Sequence, residues 1–384
     1  MKALELYVHI PFCVKKCAYC DFLSAPAGEG ERARYTETLI KEIRGYQGRY
    51  REYHITTVFV GGGTPSILTG EQIEQIFQAL RESFVIDIDA EITIEVNPGT
   101  VTGEKADAWK RAGINRISIG LQSVNDEELQ MLGRIHTYRE FTDTYELLRR
   151  KEFANLNVDL ISAIPGQTVD SWKRTLTAVA ELKPEHISAY SLIVEEGTPF
   201  YRLYRGAEEK TTGIPALPDE ETERLIYEET ETLLEIYGYR RYEISNYAKA
   251  GYECRHNTGY WRRTEYLGLG LGASSMIDHC RFCNLSQYEA YINAVQNKQE
   301  LHEDFEKLSA TDEMEEFMFL GLRMMKGIGK AEFCQNFGKE IKSVYGKQLR
   351  QLEQYGLIES IGDRIRLTKR GIDVSNFVFE QFLL

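Results

Sequence analysis

Short apolar runs rich in β-branched residues alternate with segments of helical periodicity along the first half of the chain. In the helical segments apolar residues recur at the spacing of one helix face, as Ile73, Ile76, Phe77 and Leu80 do. Such alternation is typical of βαβ units and a parallel sheet. The predicted strands lie near Leu4 to Ile10, Thr56 to Val60, Ile92 to Val96, Arg116 to Gly120, Asn157 to Ile161 and His186 to Leu192.

Six βα units rather than eight predict an α/β protein built on an incomplete (β/α)6 barrel that is open on one side. We assign the barrel to residues 1–200, and we expect its site at the carboxyl ends of the strands. Residues 201–309 are predicted to be a linker and an accessory segment. Within them, the polar stretch 201–218 is expected to be a surface loop, since it contains Gly206, Gly213, Pro215 and Pro218.

From about Ala310 the pattern changes to helices followed by a hairpin that turns at Gly362 and Asp363. Residues 310–384 are therefore predicted to form a C-terminal α+β domain of winged-helix type. Residues 339–371 contain eight basic and four acidic side chains, which raises the hypothesis of nucleic-acid binding. Without a clear recognition helix or aromatic platform, a solvated face or a partner surface is favoured.

Composition limits the classes of partner. A net charge of −13 argues against general nucleic-acid affinity, because phosphate binding needs a basic face. No stretch approaches the roughly 18 apolar residues of a membrane span, so no transmembrane segment is expected. The first residues lack the basic and apolar parts of a secretory signal, so we expect a cytoplasmic protein. There the seven cysteines are expected to be free thiols or metal ligands.

Three cysteines follow the first predicted strand, at Cys13, Cys17 and Cys20. A [4Fe–4S] cube held by three thiolates keeps one iron open, whereas four thiolates would close it. Zinc, a disulfide and buried thiols are the alternatives. Zinc would need a fourth ligand at standard spacing, and the nearby His9 lies inside the apolar run. The CxxxCxxC spacing resembles the signature of the radical SAM superfamily, in which S-adenosylmethionine (SAM) chelates the open iron.

Polar residues close several of the other predicted strands. The second strand ends in Gly61-Gly-Gly-Thr-Pro65, whose main-chain amides could approach an anionic group without Cβ obstruction. Glu95 and Gln122 end the third and fourth strands and could hydrogen-bond a ribose or a carboxylate. Arg134 offers a charge-assisted partner to a carboxylate, and Asp159 lies within the fifth strand. Each of these four residues could instead be an ordinary polar residue or half of a salt bridge.

Motifs in order along nearly the whole chain resemble the oxygen-independent coproporphyrinogen III oxidase family of radical SAM proteins. They include Tyr7-Val-His-Ile-Pro-Phe-Cys13, Cys17-Ala-Tyr-Cys20, Gly61-Gly-Gly-Thr-Pro65, Leu132-Gly-Arg-Ile-His136, Asp159-Leu-Ile, Ile164-Pro-Gly-Gln-Thr168 and Arg366-Leu-Thr-Lys-Arg-Gly371. The resemblance implies that SAM contacts Tyr7, Gly62, Gly63, Thr64, Glu95, Gln122, Arg134 and Asp159, and that Tyr19 lies against the cluster.

Three features favour one branch of that family. The segment His256-Asn-Thr-Gly-Tyr-Trp261 is similar to the HNxxYW motif of HemW-like haem chaperones. Phe22 stands where the true oxidases have a further cysteine, and Cys13 lies close to the start, whereas the oxidases have a longer segment before the cluster. The resemblance therefore implies a protein that binds a cluster, SAM and haem and passes haem to a client protein, without coproporphyrinogen oxidase activity. Radical oxidative decarboxylation of coproporphyrinogen III is the alternative function.

The same resemblance implies that His256 is the haem ligand, with Tyr260 and Trp261 offering flat apolar surface to the porphyrin. From spacing alone, His256 would cap a turn and the aromatics would be core. Ser274 replaces a histidine that relatives often carry. Cys254, Cys280 and Cys283 suggest a second metal site only weakly, and free thiols are expected.

Overall fold

The structure, a computed structural model, describes residues 1–205 and 213–384, so Gly206 of the predicted loop lies outside the described residues. Its strands are β1 (Lys2–Ile10), β2 (Phe12–Cys13), β3 (Ala25–Pro26), β4 (Tyr53–Gly62), β5 (Ile86–Val96), β6 (Arg116–Gln122), β7 (Leu156–Ser162), β8 (His186–Ser191), β9 (Arg240–Arg241), β10 (Asn246–Ala248), β11 (Tyr266–Leu269), β12 (Ser274–Ile277), β13 (Cys280–Asn284), β14 (His302–Lys307), β15 (Ile328–Gly329), β16 (Ile358–Ile361) and β17 (Arg364–Leu367).

The helices connect these strands and build the C-terminal domain. They are α1 (Glu29–Gly45), α2 (Gly70–Ser83), α3 (Gly103–Arg111), α4 (Asp126–Met131), α5 (Tyr138–Arg150), α6 (Val169–Glu181), α7 (Pro199–Tyr204), α8 (Glu220–Ile236), α9 (Arg255–Trp261), α10 (Tyr288–Asn297), α11 (Ala310–Gly321), α12 (Lys330–Phe337), α13 (Ile341–Gln354), α14 (Lys369–Asp373) and α15 (Ser375–Glu380), with a 3₁₀ turn at Pro65–Ile67.

The predicted incomplete barrel is confirmed. Strands β1, β4, β5, β6, β7 and β8 are neighbours in that order, and every pair among them is parallel. Their runs of buried residues agree with strands that are covered on both faces. The sequence also encodes helix starts, because Thr69, Thr137 and Thr168 each accept a backbone N–H in a capping box.

The chain between the barrel and the C-terminal domain extends the same sheet at both edges. Strand β11 pairs in parallel with β1, as in the register Leu6 to Leu267, and β12, β13 and β14 follow it in antiparallel order. At the other edge, β10 and β9 lie beyond β8. The predicted loop over 201–218 is wrong at its start, because Thr198 caps α7 and Pro199 occupies its first turn.

The C-terminal residues have a separate apolar core, which includes Met318, Phe333, Tyr345 and Phe382. Strands β15, β17 and β16 form a small antiparallel sheet beside helices α11 to α15, and the predicted hairpin is confirmed as β16 and β17. This arrangement is that of the winged-helix type expected from the sequence. None of the helices in the described ranges has the length and apolar character required to cross a bilayer.

Candidate functional site

A cavity of about 400 Å³ opens at the carboxyl ends of the barrel strands. Because parallel strands deliver these ends to one edge, residues distant in sequence meet there. The structure brings together all of the residues predicted to bind the cluster or SAM except Tyr7. Those that line the cavity are Cys13, Cys17, Tyr19, Cys20, Gly62, Gly63, Thr64, Glu95, Gln122, Arg134 and Asp159.

The three cysteines lie on one loop at the mouth of this cavity. Cys13 ends β2 and is buried, while Cys17 and Cys20 are partly exposed. Burial raises the pKa of the Cys13 and Cys20 thiols above the ordinary value, so they hold their protons until a metal replaces them. Arg134 places its Nη1 3.7 Å from Cys17 Sγ, which puts a cation beside the position of a thiolate.

The spacing of these thiols fits a multi-iron cluster better than zinc. Within residues 1–205 and 213–384, no three Cys, His, Asp or Glu side chains converge closely enough to hold one metal ion. A cube presents separate irons to separate thiolates, so its ligands need not converge on a point. Cys13, Cys17 and Cys20 would therefore hold three irons of a [4Fe–4S] cluster and leave the fourth iron open to a ligand.

The glycine run at the end of β4 is held tightly against the cysteine loop. Gly63 N–H donates to Ile10 O at 2.8 Å, and Thr64 N–H donates to Phe12 O at 2.6 Å. A Cβ at Gly63 would collide with the backbone of Phe12, and Gly62 has a φ of +109°, which favours glycine. The glycines are thus required for the close approach of two loops, one of which carries Cys13.

Two carboxylates, Glu95 on β5 and Asp159 on β7, line the cavity. Glu95 Oε2 accepts from Gly62 N–H at 3.1 Å. Burial, followed by the proximity of Asp159, raises the pKa of Glu95 to about 8. Asp159 is fixed by Ser118 Oγ at 2.8 Å and by Asn157 Nδ2 at 2.7 Å. These acceptors could bind the hydroxyl or ammonium groups of a ligand.

Arg134 and Asn97 also line this cavity. Arg134 Nη2 donates to Asn97 Oδ1 at 2.7 Å and to Gly120 O at 2.6 Å, and Asn97 Nδ2 donates to Thr64 Oγ1 at 2.8 Å. Arg134 Nε is buried without a hydrogen-bond partner among the described residues. Gln122, with φ of 77°, is in the left-handed region at the end of β6, a strained conformation often found at sites.

Sequence reasoning missed Asn97, Ser118 and Asn157, although the signal was present for the first. Asn97 lies two residues after Glu95, where β5 ends. The expectation that site residues lie at the carboxyl ends of the strands would therefore have included it. Ser118 and Asn157 lie inside strands, so only the tertiary fold reveals that they orient Asp159. Lys15, Lys16 and Ile193 also line the cavity.

Tyr7 lines a second, smaller cavity of about 190 Å³ on the far side of the two carboxylates. This inner cavity shares Glu95 and Asp159 with the larger one, so the two are adjacent. Tyr7 O–H lies 3.0 Å from His9 Nδ1, while His9 Nε2 lies 2.8 Å from Leu23 O. Because a carbonyl can only accept, Nε2 of His9 carries the proton and Nδ1 accepts from Tyr7.

His256 lies on α9 and faces this inner cavity. Its ring is buried and stacks on Phe59 at 5.1 Å between centroids. Nδ1 lies 2.7 Å from Thr57 Oγ1 and Nε2 lies 3.1 Å from Tyr260 O–H, so both nitrogens have hydrogen-bond partners. Burial, with a contribution from Arg116, lowers the pKa of His256 to about 3, which keeps the imidazole neutral. An iron could bind either nitrogen only after one of these hydroxyls moves away.

Helix α9 is anchored to the barrel by a carboxylate from β5. Glu91 Oε2 accepts from Arg255 N–H and Oε1 accepts from His256 N–H, each at 3.1 Å. These are the otherwise unpaired donors of a helix start, and a negative charge there is favoured by the helix dipole. Cys254 Sγ lies 3.5 Å from the same Oε1, so the Cys254 thiol donates to the carboxylate that anchors α9.

The other two cysteines of the suspected metal site lie elsewhere. Cys280 and Cys283 are on β13, where Cys283 Sγ lies 3.3 Å from Ser274 Oγ. All seven cysteines fall within the described ranges, and all are free thiols. Cys254, Cys280 and Cys283 are therefore not brought together.

A buried acid beneath α9 predicts a pH dependence of stability. Burial, followed by the nearby Glu91, raises the pKa of Glu5 from its ordinary 4.5 to about 9. Between these values the folded chain keeps a proton that the unfolded chain releases, so this contribution to stability falls as the pH rises from 4.5 to about 9. We expect Glu5→Gln, which cannot ionise, to raise the melting temperature by about 5 °C near pH 8 and to flatten its pH dependence.

Thermal unfolding between about pH 6 and about pH 8 measures this effect. Glu253→Gln is the control, because Glu253 is exposed and its loss removes the same charge. A parallel decline of the melting temperature in wild type and Glu5→Gln would show that Glu5 does not carry the effect.

The barrel and the cavity at its strand ends define a protein of the radical SAM class, and sequence comparison agrees. Residues 7–179 match the Radical SAM superfamily, and residues 308–374 match the HemN C-terminal domain. Coproporphyrinogen III oxidase (HemN) from Escherichia coli, a radical SAM enzyme, has the same fold, with a TM-score of 0.86 at 26% identity over 100% of this chain and 90% of that one.

Curated relatives are similar over their full length. The "Heme chaperone HemW" of Lactococcus lactis is 36% identical over 100% of this chain and 98% of that protein. The proteins of the same name from Bacillus subtilis and Escherichia coli are 34% and 35% identical, over 98% and 99% of this chain and 98% of each relative. The chain belongs to the HemW family of radical SAM proteins.

Proposed function

We propose that this protein is a haem chaperone that binds haem and transfers it to a client protein, and that it carries a [4Fe–4S] cluster and SAM. The HNxxYW segment carries the proposal, because it forms helix α9 against the barrel that holds the cluster site. The relatives of 34% to 36% identity that bear the chaperone name support it. We also propose a cytoplasmic location, in keeping with the free thiols.

The cavity at the strand ends would hold the cluster and SAM. Cys13, Cys17 and Cys20 would ligate three irons, and SAM would occupy the open iron and supply radical chemistry when its cluster is reduced. The chain's own contribution is orientation. Arg134 offers its guanidinium charge to a carboxylate, and Asp159, held by Ser118, offers acceptors to ribose hydroxyls.

The alternative, coproporphyrinogen III oxidation, is the activity named for the E. coli structural neighbour, which is 26% identical. The higher identity of the chaperones favours the first function. Phe22 stands where the coproporphyrinogen III oxidases have a further cysteine, and it is 63% exposed among the residues that line the cavity. Its apolar ring cannot replace the thiol of that cysteine.

Haem titration of the purified protein tests the proposal. We expect a Soret band that saturates at one haem per chain, and haem transfer to an apo-haemoprotein when the two are mixed. In a parallel anaerobic assay with SAM and a reductant, we expect no protoporphyrinogen from coproporphyrinogen III. Steady conversion of that substrate would instead assign the oxidase function. Absence of haem binding with an intact cluster would refute the chaperone.

His256 as the iron ligand remains a prediction, and the same titration tests it. Ligation through Nε2 would require the Tyr260 hydroxyl, now 3.1 Å away, to turn aside. If His256 is the ligand, His256→Ala shifts the Soret band and weakens binding, while cluster content stays normal. An unchanged Soret band and affinity would leave His256 as a buried residue that positions α9 through Thr57.

A further inference from the structure

A cavity of about 250 Å³ lies where the end of α9 meets the C-terminal domain. Trp261, Arg262 and Arg263 line it from the α9 side, and Met324, Lys326 and Arg364 line it from the domain side. It thus adjoins the last residue of the HNxxYW segment, whereas His256 faces the inner cavity of the barrel. The first and last residues of the HNxxYW segment therefore line two different cavities.

The lining of this junction cavity is cationic in an acidic protein. It contains four Arg or Lys side chains and one carboxylate, Glu332, although the chain has 59 acidic and 46 basic residues. Arg263 is neutralised by Glu313 at 3.2 Å and Glu316 at 2.9 Å. Arg364 has only a long pair with Glu332, at 3.7 Å.

Two cations remain. Among the described residues, no carboxylate oxygen lies within 4.0 Å of the side-chain nitrogens of Arg262 or Lys326. Both side chains are exposed, so their positions cost little in desolvation and they are available to an anion. A pair of uncompensated cations on one cavity matches a ligand that has two anionic groups.

The rest of the lining is aromatic and apolar. The Trp261 ring lies 4.3 Å from the guanidinium carbon of Arg323, and it packs with buried Met324. Trp261 Nε1 is buried without a hydrogen-bond partner among the described residues. Phe317, Met324 and Ile328 are buried, so the partly exposed Trp261 is the aromatic side chain that a ligand held by the cations would meet.

Size limits what either cavity can hold. At about 190 Å³ and about 250 Å³, the inner cavity beside His256 and the junction cavity are both below the roughly 300–1,000 Å³ of pockets that enclose drug-sized ligands, so neither encloses a porphyrin. The junction cavity is open to solvent through Arg262 and Lys326, and it can take one edge of a larger ligand.

We propose that the junction cavity binds the carboxylate edge of a tetrapyrrole, with Arg262 and Lys326 on the two propionates of haem and Trp261 against its apolar face. This rests on the proposed haem chaperone function and adds where the carboxylates bind. It is independent of which atom ligates the iron. The charge count carries it, since two propionates meet two cations that no carboxylate compensates.

The test compares haemin with its dimethyl ester, which keeps the macrocycle and removes both charges. For Arg262→Gln/Lys326→Gln we expect haemin affinity to fall about tenfold or more, as charge-assisted hydrogen bonds to both carboxylates are lost. Affinity for the ester should be unchanged. Lys41→Gln/Arg139→Gln, exposed residues on α1 and α5, removes the same charge outside the cavity and should bind both ligands as wild type does.

Each other outcome has a distinct meaning. If wild type binds haemin and the double variant binds it equally well, the site is wrong while the chaperone function stands. If wild type binds no haemin, both fail. If the double variant loses affinity for a short single-stranded oligonucleotide but not for haemin, the cations serve a phosphate polymer and the proposal is overturned. Equal losses for haemin and the ester would show a steric effect and overturn it as well.

Discussion

Replacing Cys17 by alanine is expected to leave the protein without its iron–sulfur cluster. Cys13, Cys17 and Cys20 line one cavity, and no other cysteine of the chain lines it. Two thiolates cannot hold three irons of a cube, so the loss should be complete rather than partial. Cluster content is measured as iron and acid-labile sulfide after anaerobic reconstitution, with the visible absorption spectrum recorded beside it.

Cys334→Ala is the matched control. Cys334 is exposed on α12 in the C-terminal domain, so its removal should leave iron and sulfide at the wild-type level. Far-ultraviolet circular dichroism of Cys17→Ala should match wild type, because Cys17 is half exposed and lies in a loop. Iron and sulfide at wild-type amounts in Cys17→Ala would disprove the assignment of the cluster.

Gly63→Ala is expected to weaken SAM binding about tenfold to 100-fold, although it adds only one methyl group. The new Cβ would collide with the carbonyl oxygen, the carbonyl carbon and the amide nitrogen of Phe12. These are backbone atoms and cannot rotate away. Overpacking of this kind costs about 1–3 kcal/mol, and it would be relieved by moving the Gly61 to Thr64 loop away from the cysteine loop. That movement displaces the N–H groups proposed to face the ligand.

Equilibrium dialysis of reconstituted protein against SAM measures the change. Gly30→Ala is the control, because a Cβ at Gly30, which lies in α1, has no atom within 4 Å. This control should bind SAM normally and gain slightly in stability through helix propensity. Normal SAM affinity in Gly63→Ala with full cluster content would show that the glycine run is only a tight turn.

The protonated state of Glu95 suggests how the site accepts a cation. Glu95, with a pKa of about 8, lies beside Asp159, so the cavity carries less negative charge than its composition implies. A ligand with an ammonium or sulfonium group would favour the ionised form of Glu95 and release a proton on binding. The same pair separates the cluster cavity from the inner cavity under α9.

The sequence by itself determined those features that depend on local order along the chain. Strand and helix periods, threonine caps and the spacing of Cys13, Cys17 and Cys20 are all encoded within a few residues. The strand-end residues Glu95 and Gln122 were also predictable, because six parallel strands must deliver their carboxyl ends to one edge.

Only the tertiary structure decided the contacts made between distant segments. Strand β11 joins β1 across about 260 residues of chain, and no local pattern specifies that partner. The same holds for Glu91, which anchors α9, and for Thr57, which holds the His256 ring in the barrel. The HNxxYW motif read along the chain suggests one site, but successive helix residues point in different directions. Its histidine therefore reaches the barrel interior while its tryptophan reaches the C-terminal domain.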